Sequence, residues 1–347
     1  MEKWQQILSN SITNSAMLSK FVKIDRKKID KVIKKYPMKI NPYYLSLIKK
    51  KNDPIWKQCI PDAQEVELVV GRRDPLLEEK YSPHKGLIHR YKDRVLLLTS
   101  DMCVGYCRFC TRKRKVGKEE KILQGKNIQK TFRYIKRHKA VRDVIISGGD
   151  PLLLEDEIIK YFLKNLRKIK HVQIIRLDSR IPCILPQRIT PRLCHIFEKY
   201  SPIYFNTQFN HFQEITEESK RACNMLVDAG VVLGNQAVLL AGVNDDSHTL
   251  KRLFEELLMI RVRPYYLYIP DAVKGTYHFR VCIEKALKIM RSLIGYTSGL
   301  AIPHLIIDLK RGGGKTPLLP KYIIKRKGRR YIFKNFENRK FYYADVK

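Results

Sequence analysis

Long hydrophobic runs are missing from this chain. None approaches the roughly 20 apolar residues that a membrane span needs, and the opening segment MEKWQQILSNSITNSAM lacks the apolar core of a secretion signal. We therefore expect a cytoplasmic protein with no membrane partner. Acidic residues are also scarce: 34 Asp+Glu stand against 69 Lys+Arg, a net charge of +35. Such an excess attracts RNA, an acidic protein or anionic lipid. Lysine is spread along the whole chain, which fits a lysine-rich background, while the runs RKRK (112–115) and KRKGRR (325–330) keep a nucleic-acid reading open. There is no internal repeat and no low-complexity tract.

Eight cysteines occur, at 59, 103, 107, 110, 183, 194, 223 and 282. Without a secretion signal a disulfide framework is not expected, and clustered cysteines suggest metal. Three lie within eight residues; the other five read as small buried hydrophobes.

From Arg94 onward, strand-like and helix-like segments alternate. Apolar runs of strand length occupy 94–100, 141–147, 172–177, 202–207, 231–240, 262–269 and 301–308. Most are near-continuous, as in parallel strands covered on both faces. Helical periodicity fills 127–138, 155–168, 217–229 and 247–259, Thr190-Pro191 reads as an N-cap with proline at the first helical position, and Gly230 stands where a C-cap glycine belongs. About six βα units in a row predict an α/β fold, a partial TIM-like (β/α)6 barrel with its site at strand C-termini. Residues 1–65, basic and helical in pattern (DRKKIDKVIKK), form an N-terminal appendage; 66–300 form the barrel; 301–347 end in a β-hairpin around KGRR.

Cys103, Cys107 and Cys110 are spaced C-x3-C-x2-C just after the first predicted strand. Three thiolates can bind three irons of a [4Fe–4S] cubane and leave the fourth without a protein ligand. That open iron can take the amino and carboxylate groups of S-adenosylmethionine (SAM), whereas zinc would want a fourth nearby Cys or His. The pattern resembles the signature of the radical SAM superfamily. The resemblance implies that Phe109 lies near the adenine and that Ser147, Gly148, Gly149 and Asp150, at the end of the second strand, face the SAM amino group.

Near the C-terminus stands Asp308-Leu-Lys-Arg-Gly-Gly-Gly-Lys315-Thr-Pro. Three glycines before a lysine can form a backbone nest for phosphate, without P-loop spacing. A lysine beside a phosphate cradle is what pyridoxal phosphate (PLP) needs. From about Pro61 onward the motifs HRYKDRVLLLTSDMC, CRFCTRKR, VIISGGDPLL, LPQRITP, EITEES, AGVVLGNQAVLL, VRPYYLY and GGGKTP resemble, in order, the lysine 2,3-aminomutase family. That likeness implies Lys315 as the PLP lysine, with Arg90, Tyr91 and Arg94 lining PLP and Gln236 beside its ring. Arg112 corresponds to the arginine for the substrate carboxylate, and Asp271 and Asp308 to the carboxylates for a side-chain ammonium. Two carboxylates in one closed pocket favour a cation between them, so lysine is the first expected substrate, ahead of arginine and ornithine. The implied reaction is a 2,3-amino shift to β-lysine, started by a radical from SAM and fed by a reductant such as flavodoxin or ferredoxin.

Departures from the family are local. No cysteine follows Cys282, so no structural zinc is expected; Leu309-Lys310-Arg311 replace a common Ala-Pro-Gly; Gln208 stands where histidine is common. The short length resembles the subgroup that supplies β-lysine for elongation factor P, and it leaves room for a homodimer while weakening the case for a tetramer. The rival readings are an RNA-modifying radical SAM enzyme, favoured by charge, and a non-catalytic Fe–S scaffold. Neither has a use for GGGK or for the Asp271/Asp308 pair.

Overall fold

A computed structural model describes residues 2–68, 70–115, 117, 122–309 and 313–346. Six short helices come first: α1 (Lys3–Ser9), α2 (Ser15–Leu18), α3 (Arg26–Ile33), α4 (Pro42–Ser46), α5 (Pro54–Cys59) and α6 (Gln64–Glu67). Asn14, Asp25, Asn41 and Asp53 cap four of them by accepting a main-chain N–H. A hairpin follows, β1 (Leu87–Tyr91) and β2 (Arg94–Leu98).

The chain then runs α7 (Lys126–Arg137), β3 (Asp143–Ser147), α8 (Asp156–Arg167), β4 (Ile174–Asp178), α9 (Ile181–Ile184), α10 (Pro191–Lys199), β5 (Ile203–Thr207), α11 (Glu217–Asp228), β6 (Val231–Val238), α12 (Ser247–Met259), β7 (Arg263–Tyr268), α13 (Ile283–Leu293), β8 (His304–Leu309) and β9 (Gly314–Pro317). These strands make one nine-stranded sheet in sequence order. Strands β2 to β8 are parallel to one another, with six helical crossovers between them, and β1 and β9 close the two edges antiparallel. This is the expected partial (β/α)6 barrel. The sheet continues past residue 300, because β8 and β9 belong to it.

The sequence pattern at the strands has a plain cause. Val144 and Ile146, Ile175 and Leu177, and Ile203 and Phe205 alternate outward into the helical layer and are buried there. Their neighbours Ile145 and Ser147, Arg176 and Asp178, and Asn206 face the inside of the curled sheet. That inner face is the wall of a cavity rather than a second apolar core. Thr190 caps α10 by accepting from Leu193 N, and Gly230 adopts φ +75° after α11, both as expected. The C-terminal hairpin gains a third strand: β10 (Ile323–Lys327), β11 (Arg330–Lys334) and β12 (Lys340–Ala344) form an antiparallel meander. Of the scattered cysteines, Cys59, Cys183, Cys194 and Cys223 are buried as expected, but Cys282 is exposed. It occupies the N-cap position of α13, at the surface.

The N-terminal helices pack over the cysteine loop. Tyr106 N donates to Lys39 O at 2.9 Å, and Arg108 N to Gln58 O at 2.9 Å. Arg108, 2 % exposed, places Nη2 at 2.6 Å from Glu65 Oε2, and Lys113 Nζ lies 2.7 Å from the same oxygen. This buried triad ties α6 to the loop that carries the cysteines.

Candidate active site

One cavity of about 590 Å³ runs along the inner face of the sheet. All sixteen residues singled out in the sequence line it: Cys103, Cys107, Cys110, Phe109, Arg112, Ser147, Gly148, Gly149, Asp150, Arg90, Tyr91, Arg94, Gln236, Asp271, Asp308 and Lys315.

At the C-terminal end of the strands the loop after β2 carries the three thiols. Burial, and after it the neighbouring Cys110, pushes the Cys103 thiol well up. Among the described residues no three His, Cys, Asp or Glu side chains close on a metal-ion site as they stand. The loop after β3 crosses directly behind the cysteine loop: Gly149 N donates to Ser100 O at 2.6 Å, and Asp150 N to Met102 O at 2.7 Å. A Cβ at Gly149 would sit 2.0 Å from Met102 O, so only glycine permits this approach. The Asp150 carboxylate is taken up inside the protein, accepting from Ser179 Oγ (2.7 Å), Arg180 N (3.0 Å) and Leu152 N (3.1 Å). Burial still raises its pKa to about 6.

Deeper along the sheet, the β1–β2 turn pairs Tyr91 with Arg94, whose guanidinium lies 4.8 Å over the Tyr91 ring. Lys315 lies on β9 directly opposite Asp308 on β8, so the glycine-rich segment joins two antiparallel strands. Lys310, Arg311 and Gly312 of that segment fall outside the described residues. Lys315 N donates to Tyr91 Oη at 3.1 Å. Its ammonium lies 5.1 Å from the Tyr266 ring centre and 5.2 Å from that of Tyr268. An extra residue in β7, Tyr265, shifts the register against β6 so that Tyr266 and Tyr268 share the cavity face with Lys315. Burial lowers the Lys315 pKa, opposed mainly by Asp178.

Two pairings could not be read from the sequence. Arg90 Nη2 lies 2.8 Å from Asp308 Oδ1, and Arg112 Nη2 lies 2.8 Å from Glu78 Oε1. Arg112 Nη1 also donates to Gly148 O at 3.3 Å. Glu78 lies before β1 in an irregular segment without periodicity, which gave no signal. Asp178, Tyr266, Tyr268 and Arg180 also line the cavity, and they sit on or just after strands, where a strand-end rule would have found them. Gln208 lines it too. Asp271 has no side-chain hydrogen bond or ion pair among the described residues. Burial, then the neighbouring Asp308, raises its pKa to about 7.

The cavity and its cysteine loop define a radical SAM protein. The sequence profile of the radical SAM superfamily matches residues 97–254, and that of lysine-2,3-aminomutase matches residues 290–345. The chain is 47 % identical to the L-lysine 2,3-aminomutase of Acetoanaerobium sticklandii over 96 % of its own length and 82 % of that protein. Identity, coverage and name are the same for the Clostridium subterminale protein. The glutamate 2,3-aminomutase of Clostridioides difficile is 44 % identical over 95 % of this chain and 79 % of the relative. The chain belongs to the lysine 2,3-aminomutase family.

That family works with a [4Fe–4S] cluster, SAM and PLP, and the residues fit all three. Three free thiols border one end of the cavity. A glycine cradle that any Cβ would fill lies against them. At the other end Lys315 lines the cavity against aromatic rings, and Arg90 Nε is buried without a partner among the described residues, as a donor awaiting an anion would be.

Proposed function

We propose that this chain converts L-lysine to β-lysine by moving the α-amino group to Cβ. Asp271 carries the substrate assignment. A half-buried carboxylate with no ion-pair partner among the described residues is costly, and a side-chain ammonium supplies that partner, whereas a glutamate side chain would add repulsion.

When bound, the cluster with SAM supplies a hydrogen-abstracting radical, and PLP supplies a carbonyl that carries the amine. The chain does the rest. Cys103, Cys107 and Cys110 hold iron and leave one site open. The 147–149 backbone receives the SAM amino group, since the Asp150 carboxylate already has three donors, and Phe109 flanks the adenine. Arg90, Tyr91 and Arg94 hold the PLP phosphate, with Gln236 beside the ring. Lys315 reacts as a neutral amine, which its desolvation within the cavity favours. Arg112 grips the substrate carboxylate, oriented by Glu78. Asp271 holds the ammonium, with Asp308 beside it. The enclosing sheet keeps water from the radicals. Electrons come from an external donor such as flavodoxin or ferredoxin, for which a basic surface suits an acidic partner.

The RNA-modifying alternative loses part of its support. In the RKRK run, Arg112 and Arg114 share Glu78 and Lys113 pairs with Glu65, so three of the four cations are engaged by carboxylates within the protein. Protein reconstituted anaerobically with iron, sulfide, PLP and SAM and reduced with dithionite should turn over L-lysine and leave L-glutamate untouched. Turnover of glutamate with lysine inert would overturn the substrate assignment.

A further inference from the structure

Arg180 has no role in the chemistry above, yet it is among the most heavily bonded side chains in the fold. It follows β4 at the head of α9, and its guanidinium is buried. Nη1 donates to Cys107 Sγ at 2.9 Å. Nη2 donates to Glu214 Oε1 (2.6 Å), Gln58 Oε1 (2.6 Å) and Tyr44 Oη (3.1 Å), and Nε to Gln208 O (3.2 Å). The guanidinium lies 5.3 Å from the Phe109 ring centre and 5.4 Å from that of Tyr44. Its main-chain N donates to Asp150 Oδ2. Glu214, fully buried, also accepts from Asn210 N and His211 N, so the acid behind the arginine is itself fixed.

A thiolate that accepts a charge-assisted hydrogen bond is a poorer electron donor to its iron. Positive charge close to the cluster also favours the more negative, reduced state. Arg180 brings both effects to Cys107 in direct contact, while the negative charge of Glu214 lies on the far side of the guanidinium. Gln58 and Tyr44 come from α5 and α4, so the N-terminal helices complete this setting.

We propose that Arg180 is a positioning residue for the iron–sulfur cluster. It fixes the Cys107 arm and, with Glu214 as its counter-ion, raises the reduction potential so that the electron can enter. This rests on the assignment of Cys103, Cys107 and Cys110 to a cluster.

The test is the midpoint potential of reconstituted protein, read by EPR during a dithionite titration, alongside iron and sulfide per chain. Arg180→Gln should shift the midpoint to a more negative value and Glu214→Gln to a more positive one, each with iron content unchanged. Arg180→Lys, which keeps charge but loses the fork, should recover part of the shift. Removing the arginine alone leaves Glu214 buried and unpaired, so the neutral double variant Arg180→Gln/Glu214→Gln is measured as well; its midpoint should also lie below that of the unmodified protein. An unmoved midpoint in Glu214→Gln and in the double variant would overturn the proposal, as would loss of iron with no shift. If the unmodified protein takes up no iron, the cluster assignment itself fails, which is a different result.

Discussion

Arg90 Nη2 sits 2.8 Å from Asp308 Oδ1, whereas Asp271 makes no ion pair among the described residues and feels Arg90 and Lys315 only from a distance. The two carboxylates that the sequence offers as a matched pair are therefore unequal. Asp308 is already paired with an arginine on β1, and of the two only Asp271 has no ion-pair partner among the described residues. A lysine side chain would bring Asp271 the direct ion pair that Asp308 already has.

Asp271→Asn should cut kcat/KM for lysine by about 10²–10³-fold, the cost of leaving a buried ion without its partner. PLP content should be unchanged. Asp308→Asn should cut it as well and also free Arg90, so PLP retained after gel filtration, read by absorbance, should fall in this variant alone.

Asp271 also sets a pH dependence. Its pKa is raised from 3.8 to about 7 in the folded protein. Stability tied to its protonated form is whole below pH 3.8 and is lost as pH rises through about 7. Denaturant titrations of cluster-free protein at pH 5 and pH 8 should show the advantage of Asp271→Asn over the unmodified chain growing by about 2–3 kcal/mol at the higher pH. Equal differences at both pH values would show that Asp271 is ionised throughout.

The cysteines divide cleanly. Replacing Cys103, Cys107 or Cys110 with alanine should abolish the iron-dependent visible absorbance after anaerobic reconstitution. Cys282→Ser, at an exposed cap, should retain it in full.

Glu65→Gln strands two buried cations, Arg108 and Lys113, beside the cysteine loop. We expect a loss of about 3–5 kcal/mol in unfolding free energy. Cluster uptake should slow even where the protein still folds.

Much of this was legible in the sequence because strands buried on their outer face leave apolar runs. All seven parallel strands were marked by such runs, the triplet by its spacing, and the 147–150 loop and Lys315 by the family resemblance of their motifs. What escaped was set by tertiary approach. Arg90 meets Asp308 across 218 residues and Arg112 meets Glu78 across 34, and no local pattern encodes either distance. The inner-face polar residues Arg176 and Asp178 were hidden inside IIRLD, where period-two alternation mixes a cavity wall with the core. The third strand of the C-terminal meander, KFYYA, is exposed throughout, so burial left no signal there.

The most direct test of the central claim follows one nitrogen. L-lysine labelled with ¹⁵N at the α-amine should be incubated anaerobically with the reconstituted, reduced protein, and the product examined by NMR and mass spectrometry. β-Lysine should form with the ¹⁵N on C3 and undiminished enrichment, and Lys315→Ala should give no product. Failure to form β-lysine, or a product whose C3 nitrogen has lost the label, would contradict the proposed amino shift.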